Sequence, residues 1–246
     1  MERLNRYLAR SGVASRRGAD ELIASGSVLV NGKRPPESGL MVDPASDVVT
    51  VDGKQVKPVT RHRYIALNKP LGVVTTARDE GGRTSVIDLI GDEGRHGHRL
   101  FPVGRLDIDS TGLLLLTDDG DLAFRLTHPR FQLAKEYLVL VAGSPSSTDL
   151  ERLRSGVELD DGKTQPAEVE VVTPAGSSDR RVELRVVIRE GRQRQVRRMV
   201  HAVGHRVHAL TRVGFGPLKL GRLKPGTWRV LVPAEVEALM RAVKAE

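Results

Sequence analysis

The chain has 246 residues, no cysteine and a formal net charge of +8 at pH 7. The lack of cysteine excludes a disulfide framework, a thiolate metal site and a cysteine nucleophile. No segment approaches the roughly 20 apolar residues of a membrane span, and arginines interrupt the first 14 residues, which lack the apolar core of a signal peptide. We therefore expect a soluble, cytoplasmic protein.

Positive charge is concentrated towards the C-terminal end. The stretch from Arg189 to Arg229 contains eleven Lys or Arg residues and one acid, Glu190. Such a concentration is the electrostatic footprint of a protein that binds phosphates. Aromatic residues make up only 3% of the chain, which argues against a surface that stacks many successive bases. A nucleic acid held mainly by its backbone is the partner that this pattern indicates.

The first 58 residues are predicted to form a small basic module. Arg3, Arg6 and Arg10 recur at helical spacing, on a different face from Leu4 and Leu8. This spacing predicts a short helix with a cationic stripe. The alternative is that these arginines form an ordinary solvated helix face.

A second helix is predicted from Ser15, a suitable N-cap, to Ser25, with Gly26 ending it. Arg16 and Arg17 lie near its start. The run 28–30 then reads as a strand, and an Asn-Gly pair follows it as a tight turn. The basic residues of this module that we expect to contact RNA are Arg3, Arg6, Arg10, Arg16, Arg17 and Lys33.

The stretch ERLNRYLARSGVASRRGADELIASGSVLVNG resembles the S4 RNA-binding domain, of the αL type. In that family two helices and a hairpin form a basic surface that docks on structured RNA. The resemblance implies an RNA partner but no reaction. A polar, proline-interrupted stretch follows, so we place a linker at 59–63 between a first domain at 1–58 and a second at 64–246.

The second domain is predicted to have an α+β fold with many antiparallel strands. Apolar or alternating runs predict strands at 64–67, 73–76, 113–116, 135–141, 168–171 and 182–188, with further strand-like pieces between 210 and 231. Helical patterns cover 121–128, part of 144–156, 196–203 and the segment from Pro233 onward. Residues 79–98 read mostly as loop, with one brief helix or strand at 86–90.

The stretch GRLDIDSTGLLLLTDDGDL, at 104–122, is the central feature of this domain. Asp107 follows Arg105 and precedes a run of four leucines, so we expect a positioned carboxylate beside an apolar core, able to act as a nucleophile or base. One alternative is that Asp107 or Asp109 only caps a turn. Another is a phosphatase of the haloacid dehalogenase type, whose D-x-D-x-T pattern 107–111 fits, although the parallel α/β setting is missing.

A second cluster of functional residues is EGRQRQVRRMV, at 190–200. Its apolar residues recur at i, i+3, i+4 and i+7, which predicts a helix with one buried face that ends at Gly204. On that helix Arg194 and Arg198 point away from the buried face and suit phosphates, whereas Arg197 lies at its flank and can reach a carboxylate. Without such a partner, all three are a solvated basic face.

Four motifs together resemble the ribosomal RNA pseudouridine synthases that carry an S4 domain. They are NKPLGVVTT at 68–76, the stretch 104–122, KEYLV at 135–139 and EGRQRQVRRM at 190–199. The order of the motifs is that of the family, and the similarity is greatest to its large-subunit (23S) branch. The resemblance implies a catalytic domain with a mixed, mainly antiparallel sheet and flanking helices.

The resemblance also implies site roles. Asp107 would act on the flipped-out target uridine, with Tyr137 packed against the base and Arg197 ion-paired to Asp107. Arg105 would fill the space left by the nucleotide, and Leu210 would line the uracil pocket. The further residues expected to contact RNA in this domain are Arg194 and Arg198.

The isomerisation transfers nothing in or out, so we expect no cofactor and no metal, in keeping with the lack of a phosphate-binding glycine motif or compact histidine spacing. The expected partner is structured ribosomal RNA or an assembling ribosomal particle, and we expect a monomer. The alternatives are a transfer-RNA-directed synthase and a non-catalytic RNA-binding or ribosome-assembly factor.

Overall fold

The computed structural model describes residues 1–36, 39–77, 79, 81–172 and 181–244. The chain forms two compact units. The first contains residues 1–63 with the short segments 95–100 and 117–120, and the second contains 64–94, 101–116 and 121–246. No helix in the described part of the chain is both long and apolar enough to cross a membrane.

The N-terminal unit has two helices and two small sheets. Helices α1 and α2 and the tight turn after residue 30 are confirmed. Ser15 caps α2 as predicted, because its side chain accepts a hydrogen bond from Gly18 N at 3.0 Å. The elements are β1 (Glu2–Arg3), α1 (Leu4–Arg10), α2 (Arg16–Ala24), β2 (Val28–Val30), β3 (Met41–Val42), β4 (Val49–Val51) and β5 (Lys54–Gln55), with β1 paired to β3 and the order β2-β4-β5 in the second sheet.

The predicted cationic stripe of α1 is partly neutralised. The helix begins at Leu4, so Arg3 precedes it as an exposed residue. Arg10 Nη1 lies 2.7 Å from Glu2 Oε1, and Arg6 Nε lies 3.5 Å from the other oxygen of the same carboxylate. Of the residues predicted to contact RNA in this unit, the exposed ones are Arg3, Arg16, Arg17 and Lys33.

The second unit contains a nine-stranded sheet. Its order is β10-β11-β9-β12-β8-β6-β14, with β13 beside β12 and β7 beside β8. β12 and β8 run parallel, whereas β12 is antiparallel to β9. The predicted α+β fold, with a mixed and mainly antiparallel sheet, is therefore confirmed. The strands are β6 (Tyr64–Lys69), β7 (Phe101–Pro102), β8 (Thr111–Thr117), β9 (Lys135–Ala142), β10 (Glu168–Val171), β11 (Arg181–Ile188), β12 (Val207–Phe215), β13 (Leu218–Lys219) and β14 (Trp228–Val230).

Five helices accompany these strands, and one predicted strand needs correction. They are α3 (Val86–Arg95), α4 (Gly120–Thr127), α5 (Ser147–Ser155), α6 (Gln195–Ala202) and α7 (Pro233–Ala242). The predicted strand at 73–76 is wrong, since only Val74 makes an isolated bridge, to Ser85. The brief helix or strand predicted at 86–90 is confirmed as a helix, α3, which is longer than predicted because it ends at Arg95. Its start is fixed by reciprocal hydrogen bonds: Ser85 N donates to Asp88 Oδ2 at 2.8 Å, and Asp88 N donates to Ser85 Oγ at 3.3 Å.

The four leucines of β8, Leu113 to Leu116, lie at the centre of the second unit. Each is at most 1% exposed, so both faces of this strand are covered. Leu113 and Leu115 share a core cluster with α4 and α7, to which Leu122, Leu126 and Leu239 belong. Burying each leucine contributes about 2 kcal/mol. The start of β8, directly after Asp107, is therefore held rigidly.

Candidate active site

The loop between β7 and β8 carries Asp107. Gly104 allows the chain to turn there because its φ is +72°. Ser110 N donates a hydrogen bond to Asp107 O at 3.0 Å, which closes a tight turn just before β8. The side chain of Asp107 is 34% exposed, so it faces an accessible space beside the core.

The segment 68–76 holds this loop in place. It donates three hydrogen bonds to carbonyl oxygens on the loop, from Lys69, Gly72 and Thr75. Lys69 Nζ donates to Ser110 O at 2.7 Å, Gly72 N to Ile108 O at 2.9 Å, and Thr75 Oγ1 to Leu106 O at 2.6 Å. Within 73–76 the side chain of Thr75 binds the loop, whereas the backbone of Val74 is hydrogen-bonded to Thr84 and Val86. The NKPLGVVTT motif is thus an anchor for the Asp107 loop.

Close packing of β8 against β12 brings the other site residues to the same place. Gly112 is paired in register with Arg212, and a Cβ on Gly112 would lie 2.3 Å from Arg212 O. Its φ of +105° also favours glycine. On its other side Arg212 is paired with Tyr137 of β9. Tyr137 and Leu210 therefore border the same cleft as Asp107.

The cleft has a volume of about 400 Å³. Five of the residues predicted from the sequence line it: Arg105, Asp107, Tyr137, Arg194 and Leu210. Arg197 and Arg198 are not among its lining residues. The cleft is strongly cationic, because six Lys or Arg residues line it against two carboxylates, those of Asp107 and Glu190.

The ion pair predicted between Arg197 and Asp107 is wrong. Arg197 instead contacts Asp109: its Nη2 donates to Asp109 O at 2.6 Å, and its Nε lies 3.4 Å from Asp109 Oδ2. Arg194 donates two hydrogen bonds to the Asp109 carboxylate, at 3.0 and 2.7 Å, and its Nη1 lies 3.8 Å from Asp107 Oδ2. The helix begins only at Gln195, and Arg194 is left-handed with φ +49°, so helical periodicity misplaced its side chain.

Two arginines, Arg194 and Arg197, contact the carboxylate of Asp109. Hydrogen bonds from Arg194, aided by the charge of Arg197, hold the pKa of Asp109 below its usual range. Burial lowers the pKa of Arg197. Arg198, predicted to face phosphates, is occupied by Asp161 through two contacts of 3.0 Å. The helix α6 is therefore tied to the Asp107 loop through Asp109 and to a neighbouring loop through Asp161.

The two carboxylates of the cleft differ in how many partners they have. Both oxygens of Glu190 are occupied, because Oε1 accepts from Gln165 N and Gln195 Nε2 and Oε2 accepts from Arg192 Nε. Within the part of the chain that the structure describes, the carboxylate of Asp107 has one ionic neighbour, Arg194, at 3.8 Å. Asp107 is thus the carboxylate whose oxygens are available for a substrate.

Two lysines near the site were missed by sequence reasoning. Lys69 is fully buried, and burial lowers its pKa to about 8 against the opposing charges of Asp109 and Asp107. Lys135 lines the cleft, and burial followed by the charge of Arg212 lowers its pKa to about 8. A signal was present in the sequence, since each is a lone cation beside an apolar strand-like run. Asp109 and Arg212 were likewise given no role in the site.

In the described ranges no group of three His, Asp or Glu side chains is placed to hold a metal ion. The chemistry that the cleft can support with its own residues is that of a carboxylate, a buried phenol and several cations. Such a set can supply a nucleophile or base and can stabilise negative charge that develops on a substrate.

Comparison with known protein families agrees with this geometry. A family model described as RNA pseudouridylate synthase matches residues 63–202, and a model of the S4 domain matches residues 2–48. An Aquifex aeolicus protein described as an uncharacterized RNA pseudouridine synthase is 45% identical over 242 residues, covering 98% of this chain and 94% of the relative. The Bacillus subtilis protein named ribosomal large subunit pseudouridine synthase B is 42% identical, covering 97% of this chain and 96% of the relative.

A solved structure supports the same assignment over the whole length. A crystal structure described as a pseudouridylate synthase is 30% identical, with a TM-score of 0.69, and covers 97% of this chain and 100% of that one. The phosphatase alternative has no support, because β8 lies in a mixed sheet rather than at the start of a parallel α/β domain. The chain belongs to the RNA pseudouridylate synthase family, is an RNA pseudouridine synthase, and carries an N-terminal S4 domain.

Proposed function

We propose that this enzyme converts a uridine of large-subunit (23S) ribosomal RNA to pseudouridine, with Asp107 as the catalytic carboxylate. The name of the Bacillus subtilis relative supports the choice of RNA. The observation that carries the role of Asp107 is its availability: it faces the cleft with one ionic neighbour at 3.8 Å, whereas Glu190 is fully hydrogen-bonded.

The geometry supports different roles for the two aspartates of the turn, Asp107 and Asp109. Asp109 binds Arg194 and Arg197 and fixes the loop, which leaves Asp107 free for chemistry. Arg194 rather than Arg197 is the cation beside Asp107, so we assign to Arg194 the ionic role first expected of Arg197. Arg197 then acts on Asp107 through the loop.

The reaction breaks the bond between N1 and C1′ of the uridine and forms a bond between C5 and C1′. The target must first leave its stack, which costs a few kcal/mol that contacts with the protein supply. Arg105, exposed at the cleft, would take the place of the extruded nucleotide. Tyr137, 8% exposed, and Leu210, 6% exposed, offer apolar surface for the flipped base, and the Tyr137 phenol can assist loss of the C5 proton.

Docking of the RNA is assigned to the S4 domain, with domain boundaries at 1–58 and 64–246. Arg3, Arg16, Arg17 and Lys33 are exposed there and can contact phosphates. Arg6 and Arg10 contribute less, because Glu2 lies within ion-pair distance of both. Arg198 is assigned a supporting role through Asp161. The substrate is naked RNA or an assembling particle, and the enzyme acts as a monomer in the cytoplasm.

Pseudouridine mapping tests this function. Carbodiimide-dependent stops of reverse transcription are compared in ribosomal RNA from cells with and without the protein. One lost 23S stop should be restored by the wild type but not by Asp107→Asn. Asp160→Asn, an aspartate outside the cleft, is the matched control and should restore the stop. A loss in transfer RNA instead would identify a transfer-RNA-directed synthase.

A further inference from the structure

Arg212 is a buried cation with an unused hydrogen-bond donor. Its side chain is 2% exposed, Nε donates to Leu113 O at 2.7 Å, and Nη2 has no hydrogen-bond partner. Its guanidinium carbon lies 5.0 Å from the centre of the Phe215 ring. Within the described ranges no Asp or Glu forms an ion pair with it. A full positive charge is thus enclosed without a carboxylate counter-ion.

Such an arrangement is costly and is not needed for the fold. Burying an unpaired charge costs several kcal/mol, and leaving one donor unsatisfied adds about 1–3 kcal/mol. Burial accordingly lowers the pKa of Arg212, and the neighbouring Tyr137 phenol opposes the shift. An apolar residue would complete β12 at no such cost, since Leu210 and Phe215 of the same strand are already buried. The charge therefore points to a role with an anion.

A second cation stands beside it. Lys135 lines the same cleft, and its Nζ donates to two backbone carbonyls, Leu133 O at 3.2 Å and Glu190 O at 3.5 Å. The charge of Arg212 helps to lower the pKa of Lys135, so the two cations repel each other. An anion between them would relieve this repulsion. Their place in the cleft, next to Tyr137, puts the missing negative charge where the flipped base would lie.

The isomerisation supplies that charge on the base. If the C1′–N1 bond breaks first, its electron pair stays with the ring, and the uracil anion spreads the charge over N1, O2 and O4. If a carboxylate adds to C6 first, the electron pair of the C5–C6 bond moves to O4 as an enolate. On either route the negative charge on the ring disappears when C5 bonds to C1′. Any bond that the carboxylate has formed to the substrate then breaks and returns its electron pair to the carboxylate, the C5 proton leaves and N1 regains a proton.

We propose that Arg212 is a further catalytic residue, whose Nη2 donates a hydrogen bond to a carbonyl oxygen of the flipped uracil and stabilises the negative charge that develops on the ring. Lys135, which lines the same cleft, adds its positive charge. This inference rests on the proposed function, because it places the target uridine in the cleft. A phosphate is the competing anion, but its charge is the same before and during the reaction, so it would affect RNA binding rather than rate.

Single-turnover release of tritium from [5-³H]uridine in a 23S transcript measures the chemical step, because the C5 hydrogen is lost. Arg212→Met should slow release at saturating enzyme by about 100- to 1,000-fold, the usual loss for one donor to developing charge. The dissociation constant for RNA should change less than about threefold, since the charge is absent in the bound ground state. Arg212→Lys keeps the cation and loses the second N–H, so its rate should be intermediate.

Stability separates this role from a structural one. Arg212→Met removes the cost of a buried, unpaired charge but also the hydrogen bond to Leu113 O, so it should melt near the wild-type Tm while losing its rate. Leu239→Ala in α7 is the matched control, because it opens a core cavity at a residue that does not line the cleft. It should lower Tm and leave the rate per folded molecule unchanged.

Four results overturn the inference. A wild-type rate in Arg212→Met would remove the catalytic role, and weaker RNA binding with an unchanged rate would make Arg212 a phosphate contact. A rate loss in Arg212→Met that follows a lowered Tm would make it a structural residue. A wild-type enzyme that releases no tritium from ribosomal or transfer RNA would contradict the proposed function itself, and the inference with it.

Discussion

Asp109 accepts two hydrogen bonds from the guanidinium of Arg194, at 3.0 and 2.7 Å, across 85 residues of sequence. This pair joins the two most characteristic motifs of the chain, the turn before β8 and the start of α6. It also leaves Asp107, two residues earlier, with its oxygens available. The D-x-D spacing therefore separates a carboxylate that arginines occupy, that of Asp109, from one that is available to a substrate, that of Asp107.

We expect Asp109→Asn to reduce both stability and rate, because it leaves Arg194 and Arg197 without a carboxylate. The free energy of unfolding should fall by about 1 kcal/mol, since the Asp109 side chain is 40% exposed and solvent screens its ion pair with Arg194. The pKa of Asp109 is lowered in the folded state, so this contribution is present above the ordinary Asp pKa of about 4 and is lost as pH falls through the folded value.

Urea unfolding of the wild type and Asp109→Asn at pH 7 and at several acidic pH values checks this. The difference in unfolding free energy should shrink as pH falls. Asp107→Asn is the control and should unfold like the wild type at pH 7, because only one 3.8 Å ion pair is affected. Equal destabilisation by both substitutions would contradict the separation of roles.

Lys69 makes the free energy of unfolding depend on pH in the alkaline range. Its folded pKa of about 8 lies below the ordinary 10.5, so between these values the unfolded chain binds more protons and stability rises with pH. The rise should be roughly 2–3 kcal/mol. Lys69→Met lacks this group and its hydrogen bond to Ser110 O, so it should show a smaller rise.

The measurement is urea unfolding from pH 7 to 10, followed by the fluorescence of Trp228, the single tryptophan. Lys135, whose pKa is also about 8, contributes to both proteins and cancels in the comparison. A difference between wild type and Lys69→Met that stays constant with pH would show that Lys69 does not titrate in this window.

Gly112→Ala should disrupt the site from within the sheet. The new Cβ would lie 2.3 Å from Arg212 O at a residue with φ +105°, so β8 and β12 must separate. We expect the free energy of unfolding to fall by about 3 kcal/mol or more. Tritium release should also be lost, because Arg212 and Leu210 move with β12. Gly120→Ala, which meets nothing within 4 Å, is the control and should change stability by less than about 0.5 kcal/mol. Similar Tm values for the two variants would contradict the required close approach.

Neutralising Arg16 and Arg17 together should weaken RNA binding and flatten its salt dependence. Both are exposed at the start of α2, and for every phosphate that the variant no longer binds the slope of log K against log salt should fall by roughly 0.7–0.9. The rate at saturating RNA should stay unchanged. The double substitution Lys54→Gln/Lys57→Gln removes the same charge from exposed residues outside the predicted surface. An identical slope in both double variants would argue against docking through Arg16 and Arg17.

Local patterns in the sequence determined much of this protein. Apolar periodicity identified α6, α7 and the central strand β8, and Ser15 marked the start of α2, because these features depend on neighbours within a few residues. The four motifs also identified the family, and Asp107, Tyr137 and Leu210 as residues that turn out to share one cleft.

Only the tertiary structure decided which charges meet. Arg194, in a left-handed conformation, and Arg197 both contact Asp109, and the residues predicted as a strand at 73–76 contain one isolated bridge, at Val74. The burial of Arg212 follows from its position between β8 and β9, and its hydrogen bond to Leu113 O spans 99 residues. Periodicity reports which face of an element is apolar, but pairings of buried charges depend on contacts between distant segments, which no local pattern specifies.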